Sequence, residues 1–208
     1  MSYLDFVADN RIYPTQFDYI PTYSTIIVKT SVLPNIVQRL QSSLLQIISP
    51  YTDHIFFNQS TVHTLPDDIN LFRLFAYHIM KKRNLNVNPY WGMLRYVRST
   101  VYQETEIEKN MIIDNEYYDR MNTKTCIFFI ERGPRVSGGN FLYEDIPYDG
   151  EKDSSFFSCC GLLRYSKEDM ISVQPGMILL VDGELPHKVQ DCSGYGTVSY
   201  VSVSFEYN

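Results

Sequence analysis

The segment PGMILLVDGELPHKV, residues 175–189, carries the pattern on which the fold prediction rests. After Pro175 and Gly176, an unbroken apolar run ends at a second turn, and Leu-Pro-His follows at 185–187. A short apolar run between turn residues is typical of a core strand. The segment therefore predicts two consecutive strands of a β-rich core, with His187 at the start of the second.

The strand-like pattern extends from Pro89 to the last residue. Apolar residues change there from a helical period to short runs separated by Gly, Pro, Asn and Asp. Eight strands following a helical layer are the number expected of a jelly roll, so we predict a mainly β fold with a helical cover. Residues 145–169 are predicted to be an insertion or a surface loop. The predicted strands are 91–97, 110–114, 125–131, 140–144, 171–174, 177–181, 187–190 and 197–205.

Two amphipathic segments precede these strands. Residues 33–49 and 67–83 place apolar side chains at helical spacing, and a short strand is predicted between them at 55–57. The second helix ends in Lys81-Lys82-Arg83, where cations complement the helix dipole, so we interpret this run as a solvated helix end and not as a binding patch. We predict a single domain, 1–208, in which residues 1–88 form the helical cover and residues 89–208 the β core.

Composition and charge limit the classes of partner. The 208 residues carry a formal charge of -6, which gives no reason to expect nucleic acid or an anionic membrane as partner. The first residues show no secretory pattern, and no apolar run reaches the roughly 18 residues that a bilayer span requires. We expect a cytoplasmic protein whose four cysteines are reduced.

Two further segments match a family pattern when they are taken with residues 175–189. TCIFFI (125–130) is an apolar strand, and after a short polar loop VSGGNFL (136–142) opens the next strand with Gly-Gly. The order and spacing of the three segments resemble those of the prolyl hydroxylases among the iron and 2-oxoglutarate dioxygenases. The resemblance implies a double-stranded β-helix (jelly roll) and places His187 at the family's second metal-binding histidine.

The metal site that the resemblance implies is incomplete in this sequence. In the family, a His-x-Asp pair on one strand and the second His hold Fe(II). The histidines here are His54, His63, His78 and His187, so residues 91–125, where the His-x-Asp pair belongs, contain none. The nearest register keeps the acid at Asp114 but places Ile112 at the ligand position, and a second register, Gln103-Glu104-Thr105-Glu106, offers only oxygen ligands.

The family's co-substrate anchor is also missing from its expected position. A basic residue on the last strand normally pairs with the far carboxylate of 2-oxoglutarate. Here residues 193–200 read SGYGTVSY, and Lys188 is expected to point away from the site because it alternates with His187. Tyr96 corresponds to a family tyrosine that hydrogen-bonds 2-oxoglutarate. The candidate site is therefore a vestigial or weak metal site of His187 and Asp114, with Tyr96 as a vestigial or weak cofactor contact.

A family fold without its site implies a pseudoenzyme that acts through protein–protein contacts, with no cofactor expected. Members without catalysis include poxviral proteins whose amino-terminal domain mimics a cellular prolyl hydroxylase and binds host proteins, so a viral accessory protein of this type is the expected class. The candidate contact residues are tyrosines in polar stretches: Tyr117, Tyr118, Tyr148 and Tyr165.

Two alternatives stay open. A dioxygenase with a reduced site would keep Fe(II) on Asp114 and His187, with water or Glu116 completing the shell, and would use 2-oxoglutarate. A sugar- or small-ligand-binding jelly roll unrelated to the oxygenases would explain the strands and the tyrosines, but not the ordered Gly-Gly and Pro-His segments.

Overall fold

The computed structural model describes residues 12–22, 25–44, 55–101, 122–143, 170–183, 185 and 187–207. These ranges contain two α-helices, one 3-10 turn and eleven strands. The helices are α1 (Pro34–Leu44) and α2 (Asp67–Lys82), and the 3-10 turn is Val62–Thr64. The strands are β1 (Asp18–Pro21), β2 (Ile26–Ser31), β3 (Ile55–Phe57), β4 (Val87–Val101), β5 (Thr123–Arg132), β6 (Arg135–Gly138), β7 (Phe141–Tyr143), β8 (Met170–Ile171), β9 (Met177–Asp182), β10 (His187–Val189) and β11 (Cys192–Tyr207).

The described strands form two sheets, which we call the large sheet and the small sheet. The large sheet has the order β1-β2-β9-β5-β11-β4-β3, with β6 paired to β11, and the small sheet has the order β10-β7-β8. Strand β11 is an interior strand of the large sheet, because it pairs antiparallel with β4 along one edge and with β5 along the other. Strands that are distant in sequence are therefore neighbours in space.

The large sheet separates two apolar cores. On one face, Phe72 and Phe75 of α2 pack against Phe128, with ring centroids 6.2 and 5.0 Å apart respectively; we call this the helix-side core. On the other face, Ile127 and Phe129 belong to a cluster shared with the small sheet, which we call the inter-sheet core. Because side chains alternate between the faces of a strand, the unbroken apolar run of β5 is explained by burial on both faces.

The prediction of a mainly β fold with a helical layer is confirmed. Residues 1–88 nevertheless contribute more than a helical cover, because β1 and β2 extend one edge of the large sheet and β3 forms the other. Strands β1 and β2 were not predicted, because β1 is an edge strand of four residues and the apolar residues of β2 are limited to Ile26, Ile27 and Val28, so neither shows a clear alternation. The predicted strand 110–114 and the predicted loop 145–169 lie outside the described residues.

None of the described helices is long and apolar enough to cross a membrane.

Candidate functional site

His187 is the first residue of β10 and is only 6% exposed. The turn before it is closed by a hydrogen bond from the Leu185 N–H to the Asp182 carbonyl, which ends β9 and starts the small sheet. His187 pairs with Tyr143, and its ring stacks on Phe141 with centroids 5.4 Å apart and an interplanar angle of 29°. Since Phe141 and Tyr143 belong to the inter-sheet core, His187 lies on the side of the small sheet that faces the large one.

The orientation of the His187 ring is set by its own turn. The Nδ1 atom lies 2.7 Å from the carbonyl oxygen of Leu185. Because a carbonyl oxygen can only accept, Nδ1 carries the proton, and in the neutral ring Nε2 then carries the lone pair. A backbone carbonyl fixes the tautomer of metal-binding histidines in this way, so the local geometry suits one metal-ligand nitrogen.

Lys188 lies on the opposite face of β10. It pairs with Leu142, whereas His187 and Val189 pair with Tyr143 and Phe141 of the inter-sheet core. Lys188 therefore points away from His187, as the alternation along the strand predicted. It does not supply a cation beside His187.

Tyr96 does not lie on the same side of the large sheet as His187. It pairs with Val201, and both residues belong to the helix-side core. Burial raises the pKa of Tyr96 above the usual 10.0; Arg98 opposes this effect, Glu131 reinforces it, and the nearby Ser199 hydroxyl opposes it. The expectation that Tyr96 and His187 line one site does not fit this placement.

The remaining predicted site residues fall in parts of the chain that the structure does not describe. Asp114, Ile112 and Glu116 lie outside the described residues, as do the four tyrosines proposed as partner contacts. Within the part of the chain that the structure describes, no three His, Cys, Asp or Glu side chains lie together as metal ligands. The described residues therefore provide one ligand nitrogen, whereas the Fe(II) site of this class requires two histidines and a carboxylate. By themselves they do not fit the metal.

A cation that was not predicted for the site, Arg132, reaches the inter-sheet core. This last residue of β5 pairs with Val198, inside the window 193–200 that lacks Lys and Arg. Its Nη1 donates to the carbonyl oxygen of Val173 at 2.9 Å and to Oδ1 of Asn140 at 3.2 Å. Asn140 directly precedes Phe141, the ring beneath His187, so Arg132 and His187 both contact the opening of β7.

A β-bulge explains why Arg132 was missed. The ladder between β5 and β11 shifts register beside Ser199 and Tyr200, so that Tyr200 pairs with Phe129 but Ser199 pairs with Glu131. Strict alternation would place Arg132 on the same face as Phe128, toward the helices. The extra residue of the bulge reverses the faces beyond it and turns Arg132 toward the small sheet.

Comparison with known proteins adds evidence at the level of the fold. No protein-family profile matches the chain, and no curated protein sequence matches it. Among solved structures, a 2OG-Fe(II) oxygenase family oxidoreductase from Burkholderia pseudomallei superposes on 99% of this chain and 91% of its own length, with a TM-score of 0.55 and 10% identity. The chain has the fold of these oxygenases.

Two other solved structures show the same likeness. IDO from Bacillus thuringiensis covers 88% of this chain and 93% of its own length, with a TM-score of 0.53 and 12% identity. A prolyl 4-hydroxylase from Phytophthora capsici covers 86% of this chain but only 58% of its own length, with a TM-score of 0.51 and 9% identity. Identities this low describe a shared architecture, so the chemistry of the site depends on the residues of this chain.

Proposed function

We propose that this chain is a non-catalytic prolyl hydroxylase-like domain that acts through protein–protein contacts. Strands β2, β9, β5 and β11 of the large sheet face β10, β7 and β8 across the inter-sheet core, which supports a double-stranded β-helix. The layout, helices followed by a β core with an incomplete metal site, resembles that of the non-catalytic poxviral domains, and on this basis we propose a viral accessory protein that mimics a host hydroxylase.

The observation that carries the proposal is the lack of any histidine between residues 91 and 125. In an active member this stretch supplies one of two histidine ligands, and the iron site needs both together with a carboxylate. The last strand also lacks its usual cation for 2-oxoglutarate. Groups that act as a unit do not replace one another, so each loss lowers turnover steeply.

Measurements of metal and co-substrate binding test the proposal that the domain is not catalytic. We expect purified protein to bind Fe(II), or Mn(II) as its surrogate, only weakly in a calorimetric titration. We also expect 2-oxoglutarate to leave the melting temperature nearly unchanged, since only a tight ligand raises it by mass action. Stoichiometric iron together with turnover of 2-oxoglutarate would overturn the proposal.

A pair of exposed aromatic residues, Phe56 and Trp91, offers a contact surface within the described residues. Their side chains are 54% and 40% exposed. Phe56 pairs with Met93, so Trp91, two residues from Met93, lies on the same face as a diagonal neighbour of Phe56. Exposed Trp and Phe side chains are enriched at protein interfaces and dominate their energetics.

Partner capture tests this surface. We expect the double variant Phe56→Ser/Trp91→Ser to lose a partner that the unaltered chain retains from host-cell extract, with stability changed by less than about 1 kcal/mol. Tyr195→Ser is the matched control, because Tyr195 is 59% exposed on β11. Equal loss in both variants, or capture that depends on Tyr117, Tyr118, Tyr148 and Tyr165 instead, would remove Phe56 and Trp91 from the interface.

The second candidate function is an Fe(II)/2-oxoglutarate dioxygenase with a reduced metal site. It is favoured by the orientation of His187 and by Arg132, whose guanidinium approaches the window where the family's cation is missing. If the protein turns over 2-oxoglutarate, Arg132→Gln should raise the KM for 2-oxoglutarate by at least about tenfold, because a charge-assisted pair is lost. Lys188→Gln, on the opposite face of β10, should leave that KM unchanged.

A further inference from the structure

A cleft of about 490 Å³ opens at the β1–β2 edge of the large sheet, away from His187. Its walls come from the hairpin of β1 and β2, from the residues after α2 and from the ends of β5 and β9. Val28 and Leu180 of its lining belong to the helix-side core and Val181 to the inter-sheet core, so the cleft lies where β9 ends beside both cores, and His187 is not among the residues that line it. Its volume is in the range of sites for small molecules.

Two lining residues of the cleft, Lys124 and Asp182, form an ion pair with each other. The Nζ atom of Lys124 lies 2.6 Å from Oδ2 of Asp182, and the Thr25 hydroxyl donates to the same oxygen. Lys124 also lies above the ring of Tyr207, 4.8 Å from its centroid. Asp182 therefore compensates Lys124, and the pair contributes no net charge to the cleft.

The second cation of the cleft, Arg83, is not compensated. Among the described residues no carboxylate forms an ion pair with it, and its Nε is buried without a hydrogen-bond partner. A buried donor without an acceptor costs free energy, which a bound anion would recover. The cleft thus presents a single positive charge.

Arg83 is held in place on two sides. Its backbone N–H caps α2 by donating to the carbonyl oxygens of Ile79 and Met80, and its guanidinium lies 4.7 Å from the centroid of the Tyr19 ring. Tyr19 and Ile26 are 50% and 51% exposed, so this edge also presents apolar surface. An anchored cation loses little side-chain entropy when a ligand binds.

We propose that this cleft binds a small organic acid, one carboxylate on an apolar body, with Arg83 as the anchor of the carboxylate. The guanidinium fork matches the planar carboxylate, while Ile26, Leu85 and Leu180 accommodate the hydrocarbon part. A phosphate dianion fits less well, because it would face the Asp182 carboxylate with only one uncompensated cation. Arg83 therefore has a more specific role than the solvated helix end expected from the sequence.

Binding of phenylacetate to the full chain, with metal removed beforehand on a chelating resin, tests the proposal. We expect saturable binding with a dissociation constant of about 1 mM or lower by calorimetry, and at least about tenfold weaker binding of the neutral phenylacetamide. Arg83→Gln should weaken phenylacetate binding by at least about tenfold. Lys81→Gln is the matched control, because it removes an exposed cation from the same basic run and should change binding by less than about twofold.

Two more measurements locate the site. Ile26→Glu adds a carboxylate at an exposed position of the lining without disturbing the core, and it should abolish binding by repulsion. Tyr195→Ser should leave binding unchanged, because Tyr195 is exposed where β11 pairs with β6 and does not line the cleft. Lack of saturable binding, equal loss in Lys81→Gln and Arg83→Gln, or tighter binding of inorganic phosphate than of phenylacetate would each overturn the assignment.

Discussion

The Nδ1 atom of His187 lies 2.7 Å from the carbonyl oxygen of Leu185, only two residues earlier in the chain. This contact, with the stacked ring of Phe141, shows that His187 is part of the packing of β10. A histidine that only packs in the core stabilises the fold equally with and without metal. A histidine that binds a metal increases the free energy of unfolding further when the metal is added.

The first prediction separates these two roles of His187. Because His187→Ala removes a buried hydrogen bond and a stacked ring, it should lower the free energy of unfolding by about 1–3 kcal/mol. Urea unfolding with and without Mn(II) measures the loss, which we expect to be the same in both conditions. His63→Ala, at an exposed position, should change stability by less than about 0.5 kcal/mol. A Mn(II)-dependent gain in the unaltered chain that His187→Ala lacks would contradict the packing role.

The second prediction concerns Gly92, where β4 approaches β11 and β3. A Cβ atom at this position would collide with the carbonyl oxygen of Ser204 and lie 2.6 Å from the Phe57 ring. Gly92→Ala should therefore cost about 1–3 kcal/mol, because backbone and a buried ring must move. Chemical denaturation gives the value. Because Phe57 holds β3 in place, the variant should also weaken any contact made by Phe56, and unchanged stability would show that the strands can separate here at no cost.

The third prediction is a dependence of stability on pH through His78. Burial, then Lys81 and Lys82, lower the pKa of His78 from its usual 6.5. The unfolded chain then binds a proton at a higher pH than the folded chain, so this contribution to stability is present above about pH 6.5 and is lost as the pH falls toward the folded pKa. Urea unfolding at about pH 7.5 and about pH 5.5 should show a smaller acid loss in His78→Gln than in the unaltered chain. His63→Gln serves as the control, and an equal acid loss in His78→Gln would contradict the assignment.

The fourth prediction uses the thiol of Cys126 as a probe of unfolding. Complete burial in the helix-side core raises the pKa of Cys126 well above its usual value, so both access and the thiolate fraction are low in the folded state. Native protein should be alkylated at the half-buried Cys192 before Cys126, and the labelling of Cys126 should follow the urea unfolding curve. Mass spectrometry of the labelled peptides distinguishes the two sites. Equal labelling rates in native protein would show that the core opens locally.

The local elements were largely predictable from single segments of the chain. Helix α2 was predicted over 67–83 and is observed at Asp67–Lys82, because its apolar stripe, acidic start and basic end agree with one another. The apolar run of β5 marked a strand with no exposed face. For the site, the sequence alone establishes that residues 91–125 contain no histidine, since this is a matter of composition and not of geometry.

The face of the sheet on which an individual side chain lies depended on the tertiary structure. The resemblance placed Tyr96 with His187, but the pairing of Tyr96 with Val201 puts it among the residues that pack under α2. A family position can be matched from sequence order, whereas the face that it occupies is set by the register between strands. A shift of one residue exchanges the two faces.

The sequence by itself therefore determined α2 and the core strands with long apolar runs, though not β1, β2 or β6, and it determined which histidines the chain can offer to a metal. Only the tertiary structure decided that a bulge turns Arg132 toward the small sheet, and that Arg83 leaves the basic run to lie over Tyr19 beside a cleft. The physical reason is that periodicity is a property of neighbouring residues. Bulges, clefts and uncompensated charges arise between segments that are distant in the chain, where pairing and burial select one arrangement.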